Sequence, residues 1–156
     1  MSEALPERRI GSVTVLFGAR GGRYPHGNSL LVRGAEETVV IDPGLGLVAR
    51  AHALPRADRV VNSHCHEDHI AGNHLFPSVP WHLHEADLPG IRSLDAMMAI
   101  YGYPEPVHSA FRKAVVEEVV RMESLDVYRA AGGAKPLVRE TYVNVDDGLL
   151  TVRLEA

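Results

Sequence analysis

Cysteine is almost missing from this chain of 156 residues, with Cys65 as its single representative. One thiol excludes an internal disulfide framework and suits a reducing compartment. No apolar run approaches the roughly 20 residues that a membrane-spanning helix requires. The opening segment Met1-Ser2-Glu3-Ala4-Leu5-Pro6-Glu7 has no apolar stretch of the kind a signal peptide carries. A cytoplasmic protein without a membrane partner is therefore expected. Strong charge is missing too: a net charge of -4 and a pI near 6.1 offer nothing to a nucleic acid or an anionic surface. Lysine is scarce, 2 against 14 arginines, an imbalance that discriminates no function. Internal repeats, low-complexity tracts and linkers are lacking as well, so residues 1–156 are read as one domain. At 46% hydrophobic and 23% charged, that domain is globular and long enough to bury a core.

Histidine, by contrast, is concentrated. The stretch Asn62-Ser63-His64-Cys65-His66-Glu67-Asp68-His69-Ile70-Ala71-Gly72-Asn73-His74 follows the apolar run Arg59-Val60-Val61. If that run is a strand, His64 and His66 project to the same side, and Asp68 and His69 follow where the backbone turns towards a helix. A lone loop histidine is ordinarily a solvated or hydrogen-bonded side chain. Four ligand-type residues in H-x-H-x-D-H order are a different matter, because imidazoles with one hard oxygen suit zinc, iron or manganese better than calcium or magnesium. Adjacent residues such as Asp68 and His69 point in different directions, so one ion cannot easily take all four. The spacing predicts two ions, one held by His64 and His66 and the other by Asp68 and His69.

At these residues the chain resembles the metallo-β-lactamase-fold superfamily. Asn28-Ser29-Leu30-Leu31-Val32-Arg33-Gly34 and Thr38-Val39-Val40-Ile41-Asp42-Pro43-Gly44 are similar to that family's opening hairpin with its Asp-x-Gly turn. The form His-x-Asp-His-x-x-Gly-Asn, from His66 to Asn73, is most similar to the glyoxalase II-like thioester hydrolases. The resemblance implies an α/β fold, a four-layered αβ/βα metallo-β-lactamase sandwich, of which this chain covers about the N-terminal half. The family's later metal ligands have no matching positions, so the domain is expected to be truncated at its C-terminus. Half a sandwich leaves a sheet face uncovered, and either a homodimer or a missing C-terminal half is expected to cover it.

The resemblance also implies an activity. Two zinc ions, with iron or manganese as alternatives, would lower the pKa of a shared water and polarise a substrate carbonyl or phosphoryl oxygen. Asp68 would orient the nucleophile as general base. The expected function is a metal-dependent hydrolase of a thioester or other ester-like bond in a small molecule. The alternatives are an iron oxidoreductase of the persulfide dioxygenase kind and a non-catalytic metal-binding or assembly module. Cys65 and Glu67 alternate with the ligands and are expected to point away from the site.

Elsewhere, residues 11–17, 29–33, 37–41, 59–62 and 80–84 read as strands. Residues 45–54 and 70–76 read as helices, and Ser93 is placed to cap a helix over 94–101 that Gly102 ends. Phe111, Val115, Val119, Met122 and Leu125 mark one face of a longer helix, and residues 141–154 read as a closing hairpin. Asp42 is either a plain turn residue or a group that orients a ligand imidazole. His26 is expected on the surface or at the rim, His82 and His84 at the rim or in structural roles, and for His74 contact with a substrate or a metal-bound water is the less favoured reading. Tyr101, Tyr103 and His108 are expected to border a substrate pocket.

Overall fold

The computed structural model describes residues 6–115. The later part of the longer helix and the closing hairpin lie outside the described residues. A six-stranded sheet runs in chain order from β1 to β6. Its first four strands, β1 (Glu7–Ile10), β2 (Val13–Leu16), β3 (Ser29–Arg33) and β4 (Thr38–Ile41), are antiparallel neighbours. Two further strands, β5 (Arg59–Val61) and β6 (Trp81–His82), continue parallel to β4. Parallel neighbours require crossovers, and these carry the short helices. The carboxyl ends of β4, β5 and β6 consequently share one edge, the place where open α/β sheets form ligand crevices.

Alternation along the strands separates two faces. Thr14, Leu31, Val40, Val60 and Trp81 form one cross-strand row, all of it buried. Around it Leu16, Leu47 and Phe76 complete a core cluster. The opposite face carries two other rows, Val13–Val32–Val39 and Val15–Leu30–Ile41–Val61, which apart from Val39 are only half-buried.

Strand β1 lay outside the sequence reading. Its four residues are all exposed, so it pairs by backbone alone and shows no apolar alternation. Gly11, at φ +59, makes the tight link to β2. After β2, α1 (Ala19–Gly22) is a single distorted turn with Arg20 and Gly21 in the left-handed region.

The helix expected over 45–54 is much shorter: α2 spans Leu45–Val48 and gives way to a 3-10 turn at Ala51–Ala53. All four α2 residues are buried. A buried segment has no polar face to extend, and Arg50 beyond it bonds the carbonyls of Pro6 and Phe17 instead.

The helix expected over 70–76 is displaced. It begins earlier, as α3 (Glu67–Ile70), with Glu67 and Asp68 in the first turn, where acids favour the helix N-terminus. It stops because Gly72 N–H donates to the Pro43 carbonyl at 2.5 Å, and a separate 3-10 turn covers Asn73–Leu75.

Helix α4 (Leu94–Tyr101) has the predicted ends. Ser93 Oγ accepts from Ala96 N–H at 3.1 Å, and Gly102 closes it at φ +64. Helix α5 (Val107–Val115) starts four residues before Phe111. Met97 and Val115 join Leu45, Val48, Cys65, Ala71 and Leu83 in a second core cluster, beneath the histidine loop.

Candidate metal centre

Strand β5 ends at Val61, so the histidines stand beyond the sheet rather than alternating along it. The expected same-side projection of His64 and His66 therefore has another cause. Asn62 and Asn73 are buried and exchange two side-chain bonds, 3.1 and 2.8 Å. Asn62 Nδ2 also donates to the His69 carbonyl at 3.2 Å. This amide pair closes the loop on itself and draws its side chains together. The signal for it was present in the sequence, an asparagine on each flank of the motif, but nothing in their spacing said that they pair.

Within the loop the His64 ring lies 4.4 Å from that of His66 and 4.1 Å from that of His69, centre to centre. His69 Nε2 is 3.6 Å from Asp68 Oδ2. Adjacent side chains thus meet here, contrary to the expectation that they diverge, and His69 is as near to His64 as His66 is. All four are half-buried. Among the described residues no three His, Cys, Asp or Glu side chains converge as ligands of a single ion. The donors stand as pairs, and a pair supplies about half of a tetrahedral zinc's four ligands. By donor chemistry the pairs fit zinc, iron or manganese.

Asp42, directly after β4, connects to both outer imidazoles. It sits at φ +49, a left-handed conformation that Asp and Asn tolerate better than most residues. Its Oδ1 accepts from Ser63 N–H and its Oδ2 from Ser63 O–H, each at 2.7 Å. The Ser63 hydroxyl has one proton, and the carboxylate takes it. His64 Nδ1, 2.9 Å from the same Oγ, must then donate to it. That tautomer leaves the His64 Nε2 lone pair free. Asp42 Oδ2 also lies 3.0 Å from His69 Nδ1. This contact has a hydrogen bond's length without its alignment, for Nδ1 is buried with no well-formed partner.

Titration follows from these contacts. For the Asp42 carboxyl, burial works against ionisation, but the contacts with His69 and Ser63 prevail and hold it below its ordinary value. His69 is raised by Asp42 first of all, against burial. Burial lowers His66, assisted by His64, so its imidazole is neutral at pH 7. Burial raises Asp68. Cys65 is fully buried and its thiol is pushed up to about 12, by burial and then by Asp87, which leaves no thiolate to act as a nucleophile.

A prediction arises from Asp42. A depressed carboxyl contributes stability that is complete above its unfolded value near ~3.9 and lost as pH falls through the folded value. The raised imidazole of His69 contributes fully below ~6.5 and loses its share as pH rises through its folded value. The pair is thus strongest between about pH 4 and 6.5. Asp42→Asn keeps the backbone conformation but removes the charge, and should cost about 1–3 kcal/mol in that window. Urea midpoints of both proteins should approach one another below about pH 4 and narrow again above neutrality. A difference independent of pH would show that the charge contributes nothing.

Other candidates have local partners. His74 Nδ1 lies 2.7 Å from the Ala71 carbonyl, and His84 Nδ1 accepts from Ala86 N–H at 3.1 Å. His82 Nε2 is 3.5 Å from an Arg59 nitrogen, and His108 Nδ1 is 3.3 Å from Glu105. His26 is half-buried in the glycine-rich loop. Tyr101 does border the cluster: its ring stacks on His66 at 3.9 Å, with Tyr103 stacked on Tyr101 at 5.4 Å. Glu67, set aside at the sequence level, is 4% exposed and hydrogen-bonded by Tyr24 and Tyr101.

The family model described as "Metallo-beta-lactamase superfamily" matches residues 23–88. No curated protein matches the chain. Among solved structures, the hydrolase AbOPH of the beta lactamase superfamily aligns with a TM-score of 0.54 and 17% identity, over 88% of this chain and 62% of its own. AidC, a dizinc quorum-quenching lactonase in complex with a product, aligns at 0.51 and 13% identity, over 92% of this chain and 65% of its own. TTHA1623, in a di-iron-bound form, is 28% identical over 53% of this chain and 46% of its own, at a TM-score of 0.40. The chain spans 62% and 65% of the first two relatives, whose likeness is one of fold. That fold is the metallo-β-lactamase fold.

Proposed function

We propose that this chain, which carries the metallo-β-lactamase fold and its H-x-H-x-D-H loop, is the N-terminal part of a metal-dependent hydrolase acting on a thioester or other ester-like bond. The observation that carries this reading is a chain of pairwise contacts at the carboxyl edge of the parallel strands, His66 beside His64, His64 beside His69 and His69 beside Asp68. Family-level support comes from neighbours that are a hydrolase and a dizinc lactonase. Zinc is the proposed ion, two per site, with iron or manganese admitted by the same donors.

His64 and His66 would hold one ion and Asp68 and His69 the other. When bound, such ions lower the pKa of a coordinated water and polarise the substrate's carbonyl oxygen. The remaining work belongs to the chain. Burial keeps His66 neutral, so no proton has to leave before its nitrogen can act as a ligand. Asp42 and Ser63 hold His64 in the tautomer with Nε2 open. Asp68, raised by burial, is a better proton acceptor than an exposed carboxylate, which suits a general base. The half-buried rows Val15–Leu30–Ile41–Val61 and Val13–Val32–Val39 are proposed to be covered by a second copy or by further polypeptide.

Elemental analysis of the purified chain, repeated on His66→Ala, tests the reading. The expected result is two zinc ions in the first case, and in the second a loss at one ion while the other persists. Esterase or thioesterase turnover should accompany the fully loaded form. One iron with oxygen uptake would replace this reading by an oxidoreductase. Substoichiometric metal with no turnover across an ester panel would leave a binding or assembly module.

A further inference from the structure

Glu67 lies between two ligand-type residues, yet it is almost completely buried, at 4% exposure. Carboxylates are rarely so placed unless their charge is satisfied. Here two phenols satisfy it. Tyr24 O–H, from the glycine-rich loop, donates to Oε1 at 2.7 Å, and Tyr101 O–H, from the end of α4, donates to Oε2 at 2.8 Å. Burial and the neighbouring Glu67 push the Tyr101 hydroxyl above the usual phenol range, so it remains a donor. With its hydroxyl fixed there and its ring against the edge of Phe111, 4.8 Å away, Tyr101 lies flat on the His66 imidazole, at 3.9 Å and 13°.

The three imidazoles are supported differently. His64 is held through Ser63, and His69 faces Asp42. Among the described residues His66 has no such hydrogen-bonded support, and the stacked ring takes its place. We propose that Glu67 is a positioning residue: it fixes Tyr101, and Tyr101 sets the plane of His66 and so the direction from which His66 meets an ion. A stack suits this purpose, because it constrains the ring while leaving both nitrogens free. This inference rests on the metal-centre reading above.

The test uses Co²⁺ titrated into the full chain, read by its visible absorption, and the His66 ring-proton resonances of the metal-free protein. In the wild type those protons should be shifted upfield by the stacked phenol. Tyr101→Leu and Glu67→Ala should abolish the shift, change the Co²⁺ band and weaken Co²⁺ binding about 10–100-fold. Glu67→Gln should bind within a few-fold of wild type, since its oxygen accepts from one phenol and its NH₂ donates to the other. If Glu67→Ala does not fold, the double variant Tyr24→Phe/Tyr101→Phe removes both anchors while keeping the rings, and should weaken binding about 10-fold. A merely structural carboxylate would lower Tm in these variants and leave the Co²⁺ band and affinity unchanged. That result overturns the positioning role alone. Failure of the wild type to take up Co²⁺ overturns the metal-centre reading, and this one with it.

Discussion

Gly44→Ala should cost about 3 kcal/mol and abolish metal uptake, although it adds a single methyl group. Gly44 follows Asp42-Pro43, and its backbone packs directly on the carbonyl of Asp68. A Cβ there would lie deep inside contact distance of that oxygen. Gly27 approaches the same oxygen from another side, where an added Cβ would stand 2.6 Å away. Gly72 is crowded in turn, with a Cβ position 2.5 Å from the Pro43 carbonyl. Three backbone segments therefore meet without side chains between them. The atom in the way is backbone, which cannot rotate aside as a flexible side chain does. Either the turn after β4 or the Asp68–His69 segment must move by something on the order of an ångström, enough to separate ligands.

Against a total stability of roughly 5–15 kcal/mol, the loss should be plain in urea denaturation. Gly11→Ala is the control. It has open space around it and only its φ of +59 to oppose the change, so about 1 kcal/mol and unaltered metal uptake are expected. Wild-type behaviour of Gly44→Ala in both measurements would mean that the turn has slack the structure does not show.

Trp81→Ala should cost more, about 3–5 kcal/mol, while leaving the metal stoichiometry of the folded protein intact. Trp81 pairs with Val60 across β6 and β5, packs in the core cluster of Leu31, Val40 and Phe76, and donates Nε1–H to the Phe76 carbonyl at 3.0 Å. Truncation opens a cavity and removes one of two donors to that carbonyl, leaving Val79 N–H at 3.4 Å. The histidine loop is closed separately, by Asn62 and Asn73, and Trp81 contributes nothing to that closure. The urea midpoint should drop sharply, while zinc per folded chain at low temperature stays unchanged. Metal loss under conditions where circular dichroism still shows the fold would make β6 part of the site's geometry. The two substitutions together separate strain at the site from weakness of the whole.

Local physics explains which features were readable beforehand. The β3–β4 hairpin has two strand-forming apolar runs around the turn Gly34-Ala35-Glu36, and α4 has a serine cap at one end and a left-handed glycine at the other. These signals lie within a few residues of what they determine. The helix expected over 45–54 is cut to Leu45–Val48 and a 3-10 turn because burial, not propensity, decides this segment. The first strand was missed because an exposed edge is held by backbone pairing, which leaves no mark on side-chain pattern.

The same distinction divides the site. His64, His66, Asp68 and His69 lie within six positions, so their chemistry and their proximity were both visible in the one-dimensional order of residues. Asp42 was visible as a turn residue or as a group that orients an imidazole, and its contact with His69 waited on β4 lying parallel beside β5. Gly44 and Gly72 were visible in the Asp-x-Gly turn and the His-x-Asp-His-x-x-Gly-Asn form, but their packing with Gly27 on the Asp68 and Pro43 carbonyls, like the Tyr24–Glu67–Tyr101 arrangement, had no local signature. Glu67 is 43 and 34 residues from its two partners, and a carboxylate's burial depends on what folds over it. Composition and spacing determined which candidate ligand groups this protein carries; only the packing of distant segments decided how each of those groups is aimed.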